Sequence, residues 1–341
     1  MRIHTEGVIM VSSKDVANRA GVSQSTVSRV LNEPDRVTES NLEKVRNAMK
    51  ELNYRPNTIA RSLVNKRTKT IALISGPIHN PFFVDTTTSI VNYANENGYK
   101  TNVFFANDED NLSIYETVLS AQVDGMIISS IFMDDPIYED LISLKTPYIM
   151  FNRKHNKGGD FVEIDNEKAG EVAANHLLEL GHRSIGFIGG PLYASTFYGR
   201  HAGFMREMQR NKIPIDEHLI WETDTSEKGV KEAVLMMMGR KNKPTAIFAS
   251  TDSIALFVID ILIELGYCIP EDISICGMDN IRISSHHSFK LTTIGLQSNT
   301  NLGRLGIEYL IDAIEGDQSS QKPVQITLDP ILYQRNTTRK L

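Results

Sequence analysis

Residues 14–52 read KDVANRAGVSQSTVSRVLNEPDRVTESNLEKVRNAMKEL. Apolar positions recur here at helical spacing in three blocks, separated by GVS and by a polar EPDRVTES segment, which predicts three short helices joined by compact turns. Val16, Ala17 and Ala20 can face Val22, Val27, Val30 and Leu31, while Leu42, Val45, Met49 and Leu52 close the same small core. Gly21 stands where the chain must turn sharply, and Ser23 is a natural N-cap for the second helix. Two helices held at about 90–120° by a three-residue turn make a helix-turn-helix. The second helix is then the reading element. Gln24, Ser25 and Arg29 lie on its face away from the valines, with Gln24 and Ser25 at the amino-terminal end that such motifs press into the major groove. The Arg29 fork suits guanine and the Gln24 amide suits adenine.

Charge supports this reading. Residues 1–70 carry 13 Lys/Arg against 7 Asp/Glu, a balance of +6, whereas the other 271 residues carry 23 against 35, a balance of −12. A small basic module therefore precedes a large acidic one. Concentrated basic surface attracts phosphates by counterion release, and an acidic remainder is repelled from the duplex. A merely solvated lysine face is the plainer alternative on charge alone. With 341 residues, 41% hydrophobic and 23% charged, the chain has ordinary globular composition, and disorder as the main state is excluded. Cys268 and Cys276 are too few and too far apart for a CxxC metal or redox site or a disulfide framework. MRIHTEGVIMVSSKDV lacks the apolar core and cleavage site of a signal peptide, and nowhere do eighteen apolar residues run together. A cytoplasmic protein without membrane contact is expected.

Residues 53–69, NYRPNTIARSLVNKRTK, form a basic segment whose Pro56 suits the first turn of a helix. A helix of about seven residues from Asn57 to Leu63 is marginal alone and should order only when docked. The alternative is a plain tether. From residue 70 apolar runs alternate with helical stretches: TIALIS, a helix near 83–97, KTNVFF, a helix near 111–121, GMIISS, a short helix and TPYIMF, then helix 167–180, SIGFIG, helices 198–211 and 226–239, TAIFAS, helix 253–265 and ISICGM. This βα rhythm predicts an α/β core of two doubly wound parallel-sheet units facing a cleft. LTTIGL, a helix over 299–315 and a strand around 324–332 are too little for a third domain and should return to the two sheets. Ligands of such sheets sit beyond the carboxyl ends of the strands.

The stretch KDVANRAGVSQSTVSRVLNEPDRVTESNLEKVRNAMKELNYRPNTIARSL resembles the DNA-binding headpiece and hinge of the lactose-repressor/galactose-repressor (LacI/GalR) family of transcription regulators. Further echoes are NPFF at 80–83, VDGMII at 123–128, HLLELGHRSIGFIGGP at 176–191, PTAIFASTD at 244–252, GYCIPEDISICGMDN at 266–280 and LTTI at 291–294. The resemblance implies a homodimeric, effector-responsive regulator, expected to be a repressor, that binds a pseudo-palindromic operator of double-stranded DNA. It also implies a periplasmic-binding-protein-like core holding a small metabolite such as a sugar. Carried over position by position, Gln24, Ser25 and Arg29 would meet base edges. Ser23, Thr26, Ser28 and Asn32 would position the helix on phosphates. Leu63 would be an apolar wedge in the minor groove, with Asn57 and Ala60 facing the same groove. A phosphocarrier or another corepressor protein is a further partner known in the family.

For the effector, the matching positions are Phe82, Phe83, Asn152, Thr196, Arg200, Asp224, Thr251, Asp252 and Asp279. Arg200 and Asp279 rank first, as a guanidinium and a carboxylate facing each other across the cleft, able to bind vicinal hydroxyls by charge-assisted hydrogen bonds. An interdomain salt bridge is the alternative. The chain departs from the family where many members place an aromatic ring before the helix at 226: here Asp224 or Thr225 stands, which argues against a purine. Asp224 could accept hydrogen bonds from hydroxyls or be a solvated loop carboxylate. Thr251 replaces an asparagine common in the family.

The expected organisation is a disordered extension over 1–11, with translation starting at Met1 or Met10, a helix-turn-helix over 12–56, and a hinge helix and linker over 57–69. The core over 70–341 divides into an N-subdomain of about 70–164 plus 292–320 and a C-subdomain of about 165–291 plus 321–335. The absence of leucine heptads at the C-terminus favours a dimer over a coiled-coil tetramer. A cytosolic binding protein or enzyme on the same fold is the alternative function, but GxSxG, GxxxxGK[ST] and HExxH are absent, so no catalytic residue, cofactor or metal is expected. A periplasmic receptor would lack the basic headpiece. His286 and His287 are adjacent, not at ligand spacing, and read as a polar loop.

Overall fold

The computed structural model describes residues 11–55, 67–78, 80–106, 111–144, 146–316 and 323–341. The chain forms two compact units, 1–68 and 69–341. In the first, α1 (Ser13–Ala20) starts at a capping box in which the Ser12 hydroxyl accepts from the Asp15 N–H while the Asp15 carboxylate accepts from Ser12. It ends at Gly21, whose φ of 65° is the left-handed conformation that glycine adopts without a Cβ clash. Ser23 caps α2 (Gln24–Asn32) by accepting from the Thr26 N–H at 3.1 Å. With α3 (Glu39–Glu51), these helices bury Val16, Ala17, Val27, Val30, Leu42, Val45 and Ala48 in one small core.

The second unit holds two six-stranded sheets. The first contains β1 (Thr70–Ser75), β2 (Lys100–Phe105), β3 (Gly125–Ile128), β4 (Tyr148–Phe151), β5 (Phe161–Ile164) and β11 (Gln325–Leu328), in the order β11-β5-β4-β3-β1-β2 and parallel throughout. The second contains β6 (Ile185–Gly189), β7 (Ile220–Glu222), β8 (Ala246–Ala249), β9 (Ser274–Met278), β10 (Thr292–Gly295) and β12 (Ile331–Tyr333), in the order β12-β10-β9-β8-β6-β7, with only β12 antiparallel. Central strands covered on both faces read as continuous apolar runs, as in Gly125–Ile128 and Ala246–Ala249, which are buried at every position.

Helices cover both faces of each sheet. On the first sheet, α4 (Pro81–Glu96) and α11 (Leu302–Glu315) share one core with Ile71, Leu73, Ile127 and Phe151, while α5 (Asn111–Ser120) and α6 (Ile137–Ser143) cover Ala72, Ile74, Met126 and Ile128. On the second, α7 (Asn166–Glu179) and α8 (Ser195–Arg210) pack against Phe187, Phe248 and Met278, and α9 (Glu227–Met238) and α10 (Asp252–Glu264) against Ile188, Ile247 and Ile275.

The subdomain partition expected for the last segment is corrected. Residues 292–295 belong to the second sheet, because the buried Thr293 hydroxyl finds its acceptor on Asp252 and the Thr292 hydroxyl faces Thr338, both in that lobe. Residues 325–328 pair instead with β5 in the first sheet. The single strand expected over 324–332 is broken at Asp329-Pro330, since proline cannot donate to a ladder, and its second half returns to the other sheet. The chain thus passes between lobes three times, after β5, β10 and β11. Strands β5 and β7 went unread because each short run carries a glutamate, Glu163 and Glu222, which interrupts the apolar run by which the other four-residue strands are read.

One helix pair fixes the geometry of the cleft. A Cβ at Gly203 of α8 would lie 1.9 Å from the Glu167 carbonyl oxygen, and one at Gly170 of α7 would lie 2.1 Å from the Arg200 carbonyl oxygen. Only glycine permits this approach, and it seats Arg200 against the start of α7. Gly203→Ala should separate the helices and lower the unfolding free energy of the core by about 3 kcal/mol, at the upper end of overpacking costs. Urea denaturation checks this; an unchanged midpoint and slope would show that the contact can relax at no cost.

Candidate functional site

On α2 the valines turn inward, leaving Ser23, Gln24, Ser25, Ser28, Arg29 and Asn32 exposed and Thr26 half-buried. The Gln24 amide donates to the Ser13 hydroxyl at 2.9 Å, and the Ser23 hydroxyl lies 2.8 Å from those of Ser25 and Thr26. Asn32 donates to the Ser28 hydroxyl at 3.3 Å. Arg29 has no ion pair or side-chain hydrogen bond among the described residues, so its fork is open to a partner. These seven side chains form one polar face centred on the start of the helix. Asn57, Ala60 and Leu63 lie outside the described residues.

The larger unit carries a cleft between its lobes at the carboxyl ends of the strands. One chamber, of about 70 Å³, is walled by Phe82, Phe83, Phe132, Phe197 and Phe257, with Asn152, Arg153, Thr196, Arg200, Thr225, Thr251 and Asp279 among its polar lining. A second, of about 590 Å³, shares Phe82, Asn152, Arg200 and Asp279 and adds Asp85, Asn280, Gln297, Asn299, Asn301 and Arg335. The lobes touch around the smaller chamber. Ser253 donates to the Asn80 side-chain oxygen at 3.1 Å, the Lys154 N–H donates to the Ser195 hydroxyl at 3.0 Å, and Phe132 meets Tyr193 edge to face at 4.7 Å.

Arg200 and Asp279 do not face each other across this cleft. Both belong to the second lobe and form a buried ion pair of 3.0 Å, which corrects the arrangement expected from sequence. Arg200 also donates through Nε to Asn166 at 2.9 Å and through Nη1 to the Ser250 carbonyl at 2.6 Å. Asp279 is held at a positive φ of 117° just beyond β9. Burial raises the Asp279 carboxyl to about 6, against the opposing pull of Arg200.

Asp252 is also corrected, since it lines neither chamber. It is fully buried, accepting from the Ile281 N–H at 3.0 Å, the Ser284 hydroxyl at 2.6 Å and the Thr293 hydroxyl at 2.5 Å, so it staples the loop after β9 to β10. Burial, with Asp279 as a second negative charge, raises it to about 7. Asp224 turns away from both chambers as well, because its carboxylate accepts from the Ser226 N–H and hydroxyl, which holds it low. Thr225, in a left-handed conformation at φ 63°, takes the wall position. The Thr251 hydroxyl caps α10 by accepting from the Ile254 N–H.

Phe82, Phe83, Asn152, Thr196, Arg200, Thr251 and Asp279 thus converge as expected. Arg153, Asn80, Phe132, Phe197, Ser253 and Phe257 were not singled out. Arg153 had a signal, directly after Asn152 past a strand end; the aromatics had none, because lone rings on helices, as Phe197 and Phe257 are, or in a loop, as Phe132 is, carry no pattern that marks them off from core.

A helix-turn-helix joined to a two-lobed binding core defines a ligand-responsive, DNA-binding transcription regulator. Residues 13–57 match the bacterial regulatory proteins of the lacI family, and residues 174–338 match the periplasmic binding protein-like domain. The HTH-type transcriptional repressor PurR of Proteus mirabilis (strain HI4320) is 33% identical over 335 residues, covering 96% of this chain and 97% of that protein. The lac repressor dimer bound to operator and the anti-inducer ONPF superposes with a TM-score of 0.84 at 28% identity, covering 96% and 99% of the two chains. The transcriptional regulator CelR in complex with cellobiose gives 0.71 at 27%, with the same coverage. The chain belongs to the lacI family of bacterial regulatory proteins. PurR and the lac repressor are transcriptional repressors rather than enzymes.

The buried carboxyls give a pH test. Their folded values exceed those of the unfolded chain, so this contribution to stability is complete below about pH 4 and is lost as the pH rises to about 7. Asp252→Asn removes one of these groups. The stability of the variant relative to the parent should therefore shift in its favour from about pH 5 to about pH 7, by at most about 1.4 kcal/mol per pH unit. A difference independent of pH, measured by denaturation across that range, contradicts the assignment.

Proposed function

We infer that the chain is a cytoplasmic repressor that acts as a homodimer on a pseudo-palindromic operator and is controlled by a sugar-class metabolite in the interlobe cleft. The observation that carries this reading is the union, on one chain, of an exposed polar reading face on α2 with an interlobe cleft lined by aromatic rings and hydrogen-bonding groups. Rings offer apolar faces to a sugar, and polar groups between them fix its hydroxyls. No helix among the described residues is long and apolar enough to cross a membrane.

In this reading Gln24, Ser25 and Arg29 meet base edges, and Ser23, Thr26, Ser28 and Asn32 fix the helix on phosphates. Phe82, Phe83, Asn152, Thr196, Arg200, Thr251 and Asp279 hold the effector, while Asp252 and Asp224 shape the loops around it. Asn57, Ala60 and Leu63 serve the operator centre, where an apolar wedge unstacks a base step and bends the duplex onto more protein. These residues reach the operator centre only when the cores of a dimer hold the two copies at the right separation. A lobe rotation on effector binding then changes that separation.

Selecting fragments of host genomic DNA on the purified full chain tests the reading: a shared pseudo-palindrome supports it, and salt-sensitive binding without a common sequence opposes it. Arg29→Ala should cost about 1–3 kcal/mol on the selected site and relax the preference at one base position of each half-site. Leu63→Ala should weaken operator binding more than binding to random DNA, because a wedge gains only where the site bends. Competition titrations measure both, and equal losses on the two DNAs would remove the wedge.

A further inference from the structure

The second unit begins at Lys69, which three segments of the first lobe hold in place. Its N–H donates to the Asp124 carboxylate at 2.9 Å, just ahead of β3, and its carbonyl accepts from the Lys100 N–H at 2.8 Å, at the start of β2. Its ammonium lies 4.1 Å from the centre of the buried Tyr99 ring and 3.2 Å from the carboxylate of Glu315, the last residue of α11. The Tyr99 hydroxyl donates to the same carboxylate at 3.3 Å. Lys69 is also held in a left-handed conformation, at φ 49°, which a residue with a Cβ adopts at a cost and keeps only where its surroundings fix it.

Stability does not account for this arrangement. The Lys69 and Glu315 side chains are half exposed, and an ion pair so placed contributes little to folding. What the contacts do is fix the point at which the chain enters the core.

Helix α11 links that point to the cleft. Its N-cap Asn301 and first residue Leu302 line the larger chamber, as does the 296–300 crossover that carries the chain from β10 back to the first lobe. At about 1.5 Å per residue, its two ends stand about 20 Å apart. Along this length the helix is closely seated: a Cβ at Gly303 would lie 2.6 Å from the Thr86 carbonyl oxygen of α4, and one at Gly125 of β3 would lie 2.7 Å from the Ile314 side chain. A helix packed in this way moves as one body.

We propose that Lys69 is a positioning residue through which the cleft acts on the DNA-binding module: α11 carries a shift of the 296–300 crossover to Glu315, which with Tyr99 sets where the chain enters the core. Leu63 stands six residues ahead of that point in the sequence, and six residues span at most about 20 Å, so the reach of Leu63 to the operator centre depends on where Lys69 is held. This inference rests on the reading of the chain as an effector-controlled regulator and adds the route between its two sites.

Fluorescence titration of the full chain and its variants tests it, with the operator recovered by selection and random DNA of equal length as probes. Glu315→Gln and Lys69→Gln should each lower operator affinity about fivefold or more and leave the thermal midpoint unchanged. Glu315→Gln should bind random DNA as the parent does, and Lys69→Arg should keep the parental operator affinity. The link to the cleft is read by combining Glu315→Gln with Ser195→Ala and Ser253→Ala, which remove two hydroxyls that join the lobes. Distant sites that share no partner ordinarily combine additively within about twofold, so a departure of threefold or more is expected. Parental operator affinity in both single variants, equal losses on operator and random DNA, or an additive combination would overturn the proposal. In each of those cases the parent still recognises its operator and the regulator reading stands, whereas a full chain that selects no operator overturns that reading and this one together.

Discussion

Arg200 is the interaction on which the cleft depends. A guanidinium taken out of water costs several kcal/mol, and the fold offsets this by giving it a carboxylate at 3.0 Å, an amide oxygen at 2.9 Å and a carbonyl at 2.6 Å. Each partner comes from a different element: Asp279 follows β9, Asn166 opens α7 and Ser250 follows β8. One side chain thereby ties three segments of the second lobe to α8. Breaking such a buried pair on one side leaves the other charge uncompensated, so residues 166, 200, 250 and 279 act as one unit. The glycine-mediated approach of α7 and α8 is what brings Asn166 within reach.

Around that fixed point the cleft is built for closure. The lobes are joined by three chain passages and by a few polar and aromatic contacts, a modest interface that a ligand with groups for both sides can strengthen. The buried carboxyls Asp252 and Asp279 keep the loop after β9 in a strained backbone, with positive φ at both Asp279 and Asn280. Strain of this kind persists where the surroundings over-determine it, and here it aims a carboxylate at Arg200. The charge asymmetry of the chain serves the same division of labour, with a net positive balance in the first seventy residues and a net negative one in the rest.

Much of this was legible in the residues. The headpiece followed from helical spacing, Gly21 and Ser23, because a three-helix core of about fifty residues leaves few ways to bury its valines. The βα alternation gave both sheets, and strand ends located most of the cleft. What failed did so for physical reasons. The fates of Thr292, Thr293 and the 325–333 segment depend on which lobe supplies a partner for a buried hydroxyl or a sheet edge, which is tertiary information. Asp252 and Asp224 stand at family ligand positions, yet their carboxylates are consumed by neighbouring N–H and hydroxyl groups. The pairing of Arg200 with Asp279 inside one lobe could not be read from two positions 79 apart in the chain.

The central claim is that cleft and DNA-binding face are energetically coupled. Its most direct test is to measure operator affinity by fluorescence anisotropy with and without a metabolite that binds the cleft, and metabolite affinity with and without operator. The account predicts that both affinities change by the same factor, about 5–150-fold, as linkage requires. A metabolite that occupies the cleft and leaves operator affinity unchanged would contradict it.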